Sequence, residues 1–301
     1  MKIVGLCQFS VFGPPERGGP ADGRLEVATL DEARARLWHP VRIAQRFHLL
    51  ESLLLPAIRA QTDPEFEIFV TVSKDMPDLF QARLERVTKD IPGLRVLQLD
   101  GMAQDAALRA VMEEASGGFA EPVAYFQVGD DQALALDFIQ RLQEASRRVD
   151  PGAMVSFPAG VLGFHDGTMV RHCMVQHVSG PIGLAGVMPP GPAEMTADLW
   201  LGRSIGRVPV FSDPRFAAYH RTLLATPADP TYRHLFPMPG VLRRLMIKTI
   251  GQHPELAAGA AVTHRAGLAL AAFSQVTAAV FEAAMHPVGL AEAMGFPLEP
   301  R

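Results

Sequence analysis

Val123-Ala124-Tyr125-Phe126-Gln127-Val128, followed at once by Gly129-Asp130-Asp131, is the stretch from which the rest of the chain can be read. A nearly unbroken apolar run predicts a strand covered on both faces, as in the centre of a parallel sheet, and the polar tripeptide marks where it stops. Toward the N-terminus, Phe66 to Val72 and Leu94 to Leu99 read as further strands, and Met1 to Phe9 as an opening one. Between them the spacing predicts helices. From Val41 onward, Phe47, Leu50, Leu54 and Ile58 fall on one face, with Arg42, Gln45 and Arg59 pointing elsewhere, and a turn at Gln61-Thr62-Asp63-Pro64 ends the segment. Leu79 to Lys89 and Gln104 to Ala115 follow the same period, and Ala133 to Ala145 resumes it after Asp131, with Leu134, Phe138 and Leu142 on one stripe. Strands alternating with helices predict an α/β fold whose mostly parallel sheet has helices on both faces.

Past Pro151 the texture changes. Val161 to His165 and Thr168 to Val175 flank Asp166-Gly167, a hairpin signal because a tight primed turn needs positive φ. Gly13 to Gly23, Pro181 to Pro192 and Thr231 to Gly240 are rich in breakers and read as loops, the last two as borders of a cleft. From about residue 256 the chain is Ala-rich and helical in pattern. The expected organisation is therefore a main domain over 1–255 and a helical C-terminal extension over 256–301.

The 301 residues suffice for one large core, and 48% apolar with 20% charged residues is ordinary globular usage. A formal charge of −4, from 32 acids against 28 bases, gives no field for holding a nucleic-acid backbone, so nucleic acid is not an expected partner. Two isolated cysteines, Cys7 and Cys173, make no disulfide framework, and the opening segment has no apolar h-region, which together point to the cytoplasm. Val241 to Lys248 mixes basic and apolar residues and could rest peripherally on the inner face of an anionic membrane, or dock as a helix on the core.

Ligands of open α/β sheets gather beyond the carboxyl ends of the strands, where Asp130 and Asp131 stand. Adjacent acids there can hold a hard divalent cation such as Mg²⁺ or Mn²⁺, and such a cation can neutralise the diphosphate of a sugar nucleotide as it departs. Taken alone, the same residues read more readily as a solvated turn residue, Asp130, and a helix N-cap, Asp131. Arg42 and Arg46, one helical turn apart, could reach phosphate oxygens or simply face water. His165, His172, Cys173 and His177 lie on both sides of the expected hairpin without paired zinc-ligand spacing. No Gly-x-Gly-x-x-Gly follows the first strand, and neither a Walker loop nor a Gly-x-Ser-x-Gly elbow occurs, which disfavours dehydrogenase, P-loop and hydrolase chemistry.

Arg46-Phe47, then Leu55-Pro56-Ala57-Ile58-Arg59-Ala60-Gln61-Thr62-Asp63 with Phe66, and Phe126 to Leu134 with Asp137-Phe138, resemble the rhamnosyltransferase family of bacterial proteins, a branch of the GT-A glycosyltransferases. The resemblance covers roughly the first half of the chain. It implies a GT-A-like mixed, mostly parallel sheet, a nucleotide-sugar donor and a saccharide or lipid-linked acceptor. It further implies a metal at Asp130 and Asp131 completed by His220, and donor contacts from Arg46, Asp75 and Asp130 with Arg42 beside them. Glu194 or Asp198 would be the base that deprotonates the acceptor, and Trp200 would stack on a sugar face. The family's acidic motif is usually a run of aspartates. Here its flanks are Gly129 and Gln132, which keeps open a second reading, a saccharide-binding or scaffold protein that has lost catalysis. A nucleotidyltransferase would need a Gly-rich basic opening loop that this sequence does not carry.

Overall fold

The structure, a computed structural model, describes residues 1–11, 30–99, 104–118, 120–165, 170–176, 182–190 and 208–223. In chain order the elements are β1 (Lys2–Gln8), α1 (Leu30–Leu37), α2 (Pro40–Leu49), a π-helical turn (Leu50–Leu54), α3 (Leu55–Arg59), β2 (Glu67–Ser73), α4 (Asp78–Thr88), β3 (Leu94–Leu99) and α5 (Gln104–Ser116). They continue with β4 (Val123–Gln127), β5 (Gln132–Leu134), α6 (Phe138–Ser146), β6 (Met154–Ser156), β7 (Ala159–His165), β8 (Val170–Gln176), β9 (Leu184–Met188), β10 (Val210–Ser212) and β11 (Tyr219–Leu223).

Among the described residues a seven-stranded sheet runs β10-β6-β9-β4-β1-β2-β3. β3, β2, β1 and β4 are parallel, β10 is parallel to β6, and β9 alone runs against its neighbours β4 and β6. This is the mixed, mostly parallel sheet flanked by helices that the sequence predicts. A second sheet, β5-β11-β7-β8, contains the expected hairpin as the antiparallel pair β7–β8, whose turn at 166–169 lies outside the described residues.

Alternation along the strands builds both faces. Ile3, Cys7, Ile68, Val70, Ala124 and Phe126 pack with Phe47, Leu50, Leu54, Ile58, Phe138 and Leu142, all buried. Val4, Leu6, Phe69, Val123 and Tyr125 pack on the other face against Val111, Met112 and Ala115 of α5. The period-two code of a strand thus divides one sequence between two cores. The helical stripe read from Phe47 to Ile58 is buried as expected, although it crosses a π turn. Pro56 has no N–H, and its ring would clash with the carbonyl four residues earlier, so the helix widens by one residue just before it.

Three readings are corrected. Pro181 to Pro192 is not a loop throughout, because Leu184–Met188 is a fully buried strand of the main sheet. Gly186 there lies under the Tyr125 ring, where an added Cβ would sit 2.6 Å from a ring carbon, so the glycine that suggested a loop is required by packing. The helix after Asp131 does not start at Ala133. Gln132–Leu134 pairs with β11, and α6 begins only at Phe138. Gln45, expected on the outer face of its helix, is buried.

The expected boundary near residue 255, the extension over 256–301 and the 241–248 segment lie outside the described residues, as do His177 and the loop tracts 13–23 and 231–240. Among the described residues no helix is long and apolar enough to cross a membrane.

Candidate active site at the ends of β1 and β4

The chain proceeds from β1 outward to β2 and β3, then returns to place β4 on the opposite side of β1. That reversal makes a crevice at the carboxyl ends of β1 and β4, the position at which open α/β sheets bind ligands. A cavity of about 240 Å³ occupies it, lined by Leu6, Gln8, Arg46, Gln127, Val128, Gly129, Asp130, Gln132 and Ile182. Val128 donates its N–H to the Leu6 carbonyl at 3.0 Å, keeping the two strand ends side by side where they enter it.

Arg46, on α2, reaches across this crevice. Its Nε donates to Asp130 Oδ2 and its Nη2 to Asp130 Oδ1, both at 2.6 Å, a fork-on-fork pair. Nη2 also donates to the Gln8 carbonyl at 2.9 Å and Nη1 to Ser10 Oγ at 3.1 Å. Ser10 has φ 59°, the left-handed region, directly after β1. This unfavourable backbone brings its hydroxyl to Arg46 and also to Arg42, whose Nη1 donates to it at 3.3 Å. Arg42 is further held by the Leu37 carbonyl at 2.5 Å.

The charges shape one another. Burial opposes the Arg46 charge, but Asp130, by its charge and its hydrogen bonds, more than restores it, so the guanidinium's pKa ends above its ordinary value. Burial, then repulsion from Arg46, pushes Arg42 down to about 10, still cationic at neutral pH. Asp131 moves the other way. Burial first and the Asp130 charge second push its carboxyl up to about 6, partly offset by Arg221 and Arg46. Cys7, fully buried on β1, has its thiol held well above the ordinary range by burial and then by Asp130.

Gly129 is fixed by crowding. Its N–H donates to Gln132 Oε1 at 2.6 Å, and a Cβ on it would lie 2.6 Å from Asp131 Oδ1. The Gly-Asp-Asp-Gln turn is therefore closed on itself by a side chain, and Asp131 caps no helix.

Of the residues expected at the site, Arg46 and Asp130 line the cavity together, with Arg42 behind them on Ser10. Asp75, just past β2, is half exposed and pairs with Arg34 of α1 at 2.5 Å, away from the lining. His220 is fully buried on β11 opposite Ala133 and does not line the cavity. Among the described residues no three His, Cys, Asp or Glu side chains come together, so Asp130, Asp131 and His220 do not form the expected trio. Glu194, Asp198 and Trp200 lie outside the described residues. The reading of the sequence missed Gln8, Ser10, Gln127 and Ile182. Gln8 and Gln127 carried a signal, each being an amide at the end of an otherwise apolar strand.

A divalent cation does not fit this donor set. Both oxygens of Asp130 already accept from Arg46, and the third polar side chain of the turn, Gln132, is an amide tied to Gly129.

Residues 2–227 match a family described as "Putative rhamnosyl transferase". The chain belongs to that family. The match includes every cavity residue named above and ends before residues 228–301. Among curated proteins none matches the sequence. Solved structures that resemble the fold include S. aureus TarS 1–349 in complex with UDP-GlcNAc, 13% identical, with 74% of this chain and 59% of that one covered and a TM-score of 0.40. The same protein in complex with UDP is 12% identical, with coverages of 74% and 61% and a TM-score of 0.39. The chain thus spans less than two thirds of the TarS chain it resembles, and so loose a likeness assigns no residue of the site.

Proposed function

We propose that this family member transfers a sugar from a nucleotide-diphosphate donor, with the diphosphate in the crevice between β1 and β4. The observation that carries the proposal is the cavity at the switch point, whose wall holds a buried guanidinium pinned on a carboxylate at the end of the central strand. Such a charge is preorganised, because α2, Ser10, Gln8 and Asp130 fix it before any ligand arrives. A departing nucleoside diphosphate needs positive charge or donated hydrogen bonds at that moment. Arg46 would supply both, with Arg42 adding to the local potential.

The donor is a hexose or deoxyhexose nucleotide, with rhamnose suggested by the family description alone, and the acceptor is a saccharide or a lipid-linked saccharide. Glu194 or Asp198 would take the proton from the acceptor hydroxyl, and Trp200 would stack on its ring. Asp75 would meet the base or ribose of the nucleotide. The Mg²⁺ or Mn²⁺ dependence expected from Asp130, Asp131 and His220 is not needed by this arrangement. A second reading, a saccharide-binding homologue without catalysis, is favoured by one observation, the full engagement of Asp130 by Arg46.

The two readings separate in a screen of nucleotide sugars against saccharide and lipid-linked acceptors, with product detection by mass spectrometry. The proposal expects one donor to be consumed and a glycosylated product to appear, both lost in Arg46→Met. Saccharide binding with no donor consumed would favour the second reading.

A further inference from the structure

The amide of Gln127 stands out in the cavity wall. It is the last residue of β4, and its Nε2 is buried without a hydrogen-bond partner among the described residues. A buried donor left unpaired is costly and rare, and in a residue that lines a crevice a ligand acceptor can satisfy it once the amide turns toward the opening. Gln132 lies across the same cavity. Because its Oε1 accepts from the Gly129 N–H, the other end of that amide, Nε2, can only donate. Arg46, whose positive charge Asp130 holds in place, lines the same cavity.

The polar side chains lining the cavity are thus Gln8, Gln127, Gln132, Arg46 and the already paired Asp130. Three amides and a guanidinium supply hydrogen-bond donors there, and the one carboxylate is committed. Such a wall suits an anion rich in acceptor oxygens and offers a divalent cation no uncommitted oxyanion.

We propose that Gln127, with Gln132 and Arg46, binds the diphosphate of the ligand directly, and that nucleotide binding here requires no divalent cation. The inference rests on the nucleotide-sugar reading above and goes beyond it by assigning Gln127 and the mode of charge compensation. Gln127 would act on binding: its amide donates to a phosphate oxygen in the ground state, so its loss should raise KM or Kd more than it lowers kcat.

The test is calorimetric titration of the full chain with UDP, dTDP, GDP, ADP and CDP, once in EDTA and once in Mn²⁺, for the wild type and Gln127→Glu. The glutamate is isosteric but cannot donate and repels phosphate. At least one nucleotide should bind equally well in both buffers, and Gln127→Glu should weaken it tenfold or more in a variant that still melts cooperatively above the titration temperature. Should the variant fold poorly, electron paramagnetic resonance of Mn²⁺ with wild-type protein decides the cation question alone. The inference expects the Mn²⁺ spectrum to be unchanged by protein alone, and the spectrum with nucleotide to match that of the same nucleotide and Mn²⁺ without protein. Binding that appears only with Mn²⁺ would overturn the inference and leave the nucleotide reading intact. No binding of any nucleotide in either buffer would overturn both.

Discussion

Arg46 and Asp130, 84 residues apart in sequence, meet through two parallel hydrogen bonds of 2.6 Å at the carboxyl end of the central strand. The pair joins α2 to the end of β4 and sets the charge of the cavity. Arg46 is about one-fifth exposed and Asp130 about one-tenth, so water screens the interaction only partly. Removing one partner strands the other.

Arg46→Met is therefore expected to lower folding stability by about 3 kcal/mol, because it leaves a buried carboxylate and the Ser10 and Gln8 acceptors unmatched. Asp130→Asn combined with Arg46→Met should lose less than the two single losses added together. Urea denaturation of the four proteins in a double-mutant cycle measures this, and strict additivity would mean that the pair is not coupled.

Asp131 should be held at a cost. Its folded pKa of about 6 lies above the ordinary 3.8, so the folded state binds the extra proton and stability falls as pH rises between those values. Asp131→Asn removes that dependence. At pH 7.5 the variant should be more stable by about 1 to 3 kcal/mol, and near pH 4 the gain should vanish. Thermal melts across pH 4 to 8 check the window, and a gain that grew toward low pH would reverse the sign argued here.

Gly186→Ala should destabilise the central sheet by about 2 kcal/mol, since its Cβ would press on the Tyr125 ring within a close-packed core. Pairing it with Tyr125→Leu should recover part of the loss, measured by guanidinium midpoint.

Cys7 is predicted to be inert in the folded protein. It is fully buried with its thiol pushed up, so maleimide labelling followed by peptide mapping should find it modified only at the rate of global unfolding. Labelling on the timescale of an exposed thiol would show that the β1 end opens locally.

Apart from α1, which was not read, the order of strands and helices through β4 was legible in the sequence because those elements have a clear period and a breaker at the end. Phe47, Leu50, Leu54 and Ile58 were read as one face and are buried as one. β9 was illegible because Gly183 and Gly186, which punctuate a loop in most contexts, here serve packing against Tyr219 and Tyr125. The helix after Asp131 was placed too early because Ala133 and Leu134 suit either period, and only pairing with β11, far along the chain, selects strand. At the site, the sequence pointed to Arg46 and Asp130 separately. It could not show that they bind each other, because that depends on α2 crossing the end of β4. The same contact changes the chemistry expected of Asp130, from a metal ligand to the anchor of a guanidinium. Gln127 was passed over although an amide at the end of an apolar strand is a signal, because it belongs to no motif.

Hydrogen exchange read by mass spectrometry, with and without the nucleotide diphosphate that binds most tightly, locates the ligand on the chain. Slower exchange confined to peptides covering residues 6–10 and 127–132 is the predicted result, because those two strand ends form the walls of the crevice. Protection elsewhere on the chain, with both of these segments unchanged, would contradict the assignment of this crevice as the donor site.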